Sequence, residues 1–301
     1  LRAVGNSRMP LVFLVLSACL NVVLDLILII NFKMGVAGAA WATNLSQAIS
    51  AVLCAVYIYK KVPALMPEKR HWRFHKGDTR YQLATGIPMA LQFAITSSGT
   101  MVMQSAINLF GSEAVAAYTA AGKIHGLLTQ GMVAMGQTMA VYSGQNYGKG
   151  DAGRIRQGVR AALIIEVIYS VASAVVVSAA LGPSLGLFFS GEVDLAAMMP
   201  WARTYTTICT LFYVPLCTIF IFRNTMQGCG YGFLPMMGGV VELAARLIVA
   251  VIAMDIHSYW LACACDPAAW VGAGLFTGIS YLYIIKKIEK NLGKGMAVHK
   301  S

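Results

Sequence analysis

Asn21 and Asp25 stand four residues apart inside the apolar run LVFLVLSACLNVVLDLILII. Residues at that spacing share one face of a helix, so an amide oxygen and a carboxylate point the same way. Hard oxygen donors in such a pair can take up a proton or coordinate a cation such as Na⁺. The next apolar run adds Thr43, Asn44 and Gln47, with Thr43 and Gln47 again one turn apart. The competing reading makes Asn21 and Asp25 polar glue between helices. A carboxylate is an expensive glue in an apolar run, which favours the functional reading.

Five other ionisable residues fall within apolar stretches. Glu242 and Arg246 are also four apart, in the favourable acid-before-base order, and are expected to neutralise each other as a structural ion pair. Glu166 has no partner nearby in the sequence, and Lys123 with His125 could line a cavity. A lone histidine is more often packed or hydrogen-bonded than a proton relay. Gln92, Thr96 and Thr100 form a polar stripe that should face protein or water, and Pro88 should kink their helix or free a carbonyl. The chain has no phosphate-binding glycine loop, no catalytic triad and no His/Cys metal spacing, so neither an enzyme nor a cofactor is expected. The seven cysteines read as small hydrophobes. Any solute movement would therefore draw on an ion gradient.

The elements that position these residues are membrane spans. The chain is 58% hydrophobic and 12% charged, where a soluble domain carries about 25% charged residues. Continuous apolar runs of spanning length predict an all-α integral membrane protein with eight spans, near 10–31, 36–59, 85–110, 114–142, 158–181, 201–223, 234–254 and 268–285. This divides the chain into 1–59, a basic linker 60–84, a six-helix bundle 85–285 and a tail 286–301. Most of the 23 Lys and Arg, among them Lys60, Lys61, Lys69, Arg70, Arg156, Arg223, Lys286 and Lys300, fall in loops on one side. That side is cytoplasmic, and so are the linker and the C-terminus. Lys33 and Arg203 fall on the other side, with Glu113, Glu192, Asp194, Asp255 and Asp266 in its loops. The net charge of +11 is thus a topology signal and an attraction to anionic lipid, and no nucleic-acid partner is expected.

The two ends of the chain match. Gly5 and Gly230, and Pro10 and Pro235, are both separated by 225 positions, and Trp41 and Trp270 by 229. Spans one and two therefore repeat as spans seven and eight, in the same direction across the membrane. The repeat places Arg246 opposite Asn21, and Ala250 opposite Asp25. Projected backwards, the repeat implies a parent of about 440 residues and twelve helices in two parallel bundles, with four spans ahead of the first one here. The start at Leu1 agrees with a C-terminal portion of something longer.

LRAVGNSRMP followed by LNVVLDLILI and GVAGAAWAT, together with FRNTMQGCGYGFLP near the end, resembles the MATE multidrug and toxic-compound extrusion transporters, in particular the DinF-like type. The eight spans would be helices five to twelve. The resemblance implies alternating access and export of small organic cations in exchange for H⁺ or Na⁺ by a monomer in the bacterial inner membrane. It assigns cation coupling to Asn21, Asp25 and Thr43, with Na⁺ at Asp25 as an option, and a place facing the drug cavity to Gln47; the stripe residues Gln92 and Thr96 are expected to line the substrate cavity with it. Positions that carry acids in some members hold Thr96 and Leu216, which speaks against a coupling site of that type in the second bundle. A lipid-linked sugar flippase of the same superfamily, or an uncoupled channel or receptor, are the alternatives.

Overall fold

A computed structural model of the chain describes residues 1–68, 73–188 and 195–298. The loop charges Lys69, Arg70, Glu192, Asp194 and Lys300 lie outside the described residues. The described residues are helical with short connections and divide into two compact units, Leu1–Thr79 and Arg80–Ser301.

The first unit is a helical hairpin. Helix α1 (Arg8–Leu26) runs into a π-helical stretch, Ile27–Asn31, and α2 spans Gly35–Lys61. Gly38, Ala42 and Ser46 are the buried residues of α2. Their four-residue spacing makes a seam of small side chains along which another helix can approach closely. The approach is tightest at Gly38, where a Cβ would lie 3.2 Å from the Leu28 backbone. Ser50 donates to the Phe13 carbonyl at 3.1 Å, and Phe13 meets Tyr57 edge-on.

The second unit holds α3 (Lys76–Ile107), which starts just before the unit boundary, then α4 (Ser112–Lys149), α5 (Ala152–Phe188), α6 (Leu195–Leu211), α7 (Tyr213–Gly228), α8 (Phe233–Asp255) and α9 (Tyr259–Val298). Helix α3 begins nine residues earlier than the apolar pattern suggests, with Asp78 in its first turn, where a carboxylate favours the positive end of a helix. Helices α6 and α7 meet at a 51° bend, so the sixth expected span is a broken one. Among the described residues, five helices are long and apolar enough to cross a membrane, and the bent pair makes a sixth. Helices α3 and α4 have the length but carry more polar residues.

The interior of this unit follows the helical period. Helix α8 buries Pro235, Gly238, Gly239, Glu242, Arg246, Ala250 and Ala253. The opposite face, with Leu247, Ile248, Val251 and Ile252, is exposed, as are Ile164, Ile165 and Ile168 of α5. Large aliphatic side chains facing outwards around a polar-containing interior are what a lipid solvent selects. The glycine-rich link between α7 and α8 packs on one face of α3. A Cβ on Gly230 would strike the Tyr81 hydroxyl, and one on Gly232 would lie 3.0 Å from the Thr85 carbonyl and 3.3 Å from Pro88.

The repeat is visible in the backbone. Gly5 and Gly230 adopt φ of 82° and 85°, the left-handed conformation that glycine takes without steric cost. The residues preceding α1 and α8, Ser7 and Gly232, are again 225 apart. Each hairpin then turns through a non-glycine residue in the same left-handed region, Lys33 with φ 53° and His257 with φ 51°.

Candidate functional site

In the hairpin unit, α1 and α2 enclose a groove of about 550 Å³ whose lining includes Ser17, Asn21, Thr43, Ser46, Gln47 and Ser50. Asn21 Nδ2 donates to Thr43 Oγ1 at 3.3 Å, and Thr43 in turn donates to the Ala39 carbonyl at 3.0 Å. The groove therefore presents amide and hydroxyl oxygens from both helices. Asp25 lies one turn beyond Asn21, just before the π-helical stretch, and its Oδ1 is buried with no hydrogen-bond partner. Widened turns of this kind recur where a helix carries function. A carboxylate oxygen left unsatisfied one turn along the helix from Asn21 is an open acceptor for a proton or a hard cation.

In the larger unit, a chain of alternating charges crosses three helices. Arg223 Nη2 of α7 donates to Glu242 Oε2 at 3.0 Å. Glu242 Oε1 receives Arg246 Nη2 at 2.9 Å within α8, and Arg246 Nε donates to Asp266 Oδ1 of α9 at 2.7 Å. Arg223, Glu242 and Arg246 are all buried. Two bases and two acids cancel, which is the condition for holding four charges away from water. Beside them, Gln227 of α7 donates to the Gln92 amide oxygen at 2.8 Å. Arg246 Nη1 has no partner and reaches towards Gly99, where a Cβ would lie 2.7 Å from it.

The expected ion pair Glu242–Arg246 is thus half of a longer chain. Arg223 and Asp266, read from the sequence as loop residues on opposite sides, are corrected to members of helices, Arg223 buried in α7 and Asp266 half-buried in α9. The apolar run after Leu211 ends at the glycine cluster from Gly228, not at its first charge. The run at Tyr259–Cys265 leads straight into Asp266, so Pro267 lies inside α9 and does not open it. These two continuities were the signal present in the sequence.

The polar stripe of α3 also shifts. Gln92 is buried, Thr96 Oγ1 is buried without a partner, and Gly99 and Met103 continue the inward line, while Thr100 is exposed. The steps of four, three and four follow 3.6 residues per turn, and a strict step of four drifts off the face. Gln92 accepts from Gln227, and Gln47 lines the groove between α1 and α2. Lys123 is exposed on α4. His125 Nδ1 lies 2.8 Å from the Tyr213 hydroxyl, and its ring stacks parallel to Trp270, a packed and hydrogen-bonded histidine.

The family model MatE matches residues 88–252, a little over half of the chain. The chain belongs to the MatE family. It is 34% identical over 157 residues to "Probable multidrug resistance protein YpnP" of Bacillus subtilis, covering 52% of this chain and 34% of that protein. It is 25% identical over 284 residues to "Probable multidrug resistance protein NorM" of Thermotoga maritima, covering 90% and 58%. The crystal structure of a mutant of the Vibrio cholerae MATE transporter VcmN has the same fold, with a TM-score of 0.82 at 18% identity over 95% of this chain and 64% of that one. The chain spans less than two thirds of each of these proteins. Its fold is that of an integral membrane transporter, with the hairpin and the larger unit both included in the likeness.

Proposed function

We propose that the protein of which this chain is part exports organic cations in exchange for H⁺ or Na⁺, by alternating access in a bacterial inner membrane. The observation that carries this reading is the buried, unsatisfied Asp25 oxygen, one turn from the Asn21–Thr43 hydrogen bond in an oxygen-lined groove. When Asp25 binds the coupling ion, its charge is neutralised and the oxygens of Asn21 and Thr43 are drawn towards it. This repacks α1 on α2 along the small-residue seam, where a slight slide costs little. Gln47 then belongs to the solute-facing wall of the same groove. The Bacillus and Thermotoga relatives are named as probable multidrug resistance proteins, which supports the substrate class. The linker and the C-terminus take the cytoplasmic side by their Lys and Arg content, and the transporter acts as a monomer. A flippase for pyrophosphate-linked lipids would need free cations around a cavity. Here Arg223 and Arg246 are both bound to carboxylates and Lys123 is exposed.

The test uses the full-length protein in membrane vesicles with a fluorescent organic cation. Asp25→Asn is expected to abolish efflux driven by a pH or Na⁺ gradient. Full, gradient-dependent efflux by that variant would overturn the proposal. Running the pH and Na⁺ gradients separately identifies the coupling ion.

A further inference from the structure

Helix α5 carries an acid that neither the groove nor the charge chain uses. Glu166 is only 3% exposed, and its Oε2 is buried with no hydrogen-bond partner. One turn on, Ser170 is 1% exposed, and its hydroxyl is likewise without a hydrogen bond. Ser173, a further turn along, is buried too. The three lie at the four- and three-residue steps that mark one helix face, and the other face of α5, with Ile164, Ile165 and Ile168, is exposed and apolar.

No cation answers this carboxylate among the described residues. From α7 the buried thiol of Cys217 faces Glu166 and Ser170, and that thiol donates to the Val214 carbonyl at 3.1 Å. On α4, His125 is held by Tyr213 and Lys123 is exposed, while Tyr142 donates to the Arg154 carbonyl. On α6, Arg203 is exposed, and Tyr205 and Cys209 belong to the apolar core. Arg223 of α7 is bound to Glu242, and on α9 Glu289 is bound to Arg156 while Lys287 lies over the Tyr231 ring. On α5 itself, the Tyr169 hydroxyl donates to the Leu128 carbonyl.

We infer that Glu166, with Ser170, forms a second monovalent-cation site in the larger unit, occupied by H⁺ or Na⁺. An ionised carboxylate in an apolar helix bundle is tolerated only with a compensating charge. The surrounding protein supplies none, so an exchangeable ion must. The serine hydroxyl one turn away adds the oxygen that a Na⁺ would need, or the acceptor that a carboxylic proton would need. The inference stands on the surroundings of Glu166 alone and does not depend on the role proposed for Asp25.

The experiment is infrared difference spectroscopy of the full chain in lipid vesicles, carried in an Asp25→Asn background so that Asp25 contributes nothing. One arm adds Na⁺ at fixed pH, and the other raises pH without Na⁺. The carboxylic-acid C=O band is expected to fall in at least one arm and to be missing in Glu166→Gln, an isosteric neutral change that leaves packing intact. Loss of the band on adding Na⁺ identifies a Na⁺ site, and loss only with rising pH identifies a proton site. Ser170→Ala is expected to shift the midpoint roughly tenfold, the equivalent of one hydrogen bond or oxygen ligand. A band that responds to neither arm, a spectrum unchanged in Glu166→Gln, or an unshifted midpoint in Ser170→Ala would overturn the site.

Discussion

The α1–α2 and α8–α9 hairpins tie their two helices together from the same register position, with different chemistry. In the first, Asn21 donates across to Thr43 at 3.3 Å, one neutral group to another. In the second, the matching Arg246 donates to Asp266 at 2.7 Å and also holds Glu242. Helix α8 buries both Glu242 and Arg246. A neutral amide–hydroxyl bond can break without leaving a charge behind, so it exchanges for water or an ion at small cost. A buried ion pair cannot separate without stranding a charge. A common backbone plan thus supports a tie that can be exchanged in one hairpin and a fixed one in the other.

The strongest attack on this contrast is Arg246→Ala, which strands Asp266 and leaves Glu242 to Arg223 alone, and is expected to destabilise the folded chain by about 3–5 kcal/mol. Thermal unfolding in detergent reads it, and Arg246→Lys should rescue little, because an ammonium lacks the fork that reaches two carboxylates at once. Next is Gly99→Ala. Its Cβ would lie 2.7 Å from Arg246 Nη1, and Arg246 is pinned by both carboxylates and cannot retreat. A loss of about 1–3 kcal/mol is expected, as for overpacking elsewhere. Thr43→Val should cost about 1 kcal/mol or less in stability while changing the ion dependence of efflux. If it destabilised as much as Arg246→Ala, the contrast between the hairpins would be broken. The smallest effect is expected for Ser50→Ala, about 0.6 kcal/mol for one hydrogen bond between helices.

Helix existence and the repeat were legible in the sequence because apolar run length and glycine–proline spacing are local signals. Gly5 and Gly230 show this best, since equal spacing became equal φ. Helix ends were less legible. Arg223 and Asp266 look like loop residues by charge alone, and only their neutralisation by residues 19 or more positions away, on other helices, lets Arg223 be buried and Asp266 half-buried. Such pairing is a tertiary fact with no local signature. The π-helical stretch after Asp25 was equally invisible, because Ile27–Asn31 reads as ordinary helix. The Glu242–Arg246 spacing, by contrast, is local, and the sequence showed that link of the charge chain.

That local link bears on biosynthesis. When α8 leaves the ribosome and enters the bilayer, α9 has not yet been made, and Asp266 is still to come. A lone Arg or acid at the centre of an inserting helix costs about 2.5–3.5 kcal/mol. Because Glu242 and Arg246 sit one turn apart on the same helix, α8 can partition with its charges already cancelled. Arg223 precedes it near the end of α7, where a long side chain can keep its head at the interface until Glu242 arrives. Asp266 then comes last. The order in which the ribosome delivers these four residues is the order in which the chain of charges closes, and no stage requires an unpaired charge to wait in lipid.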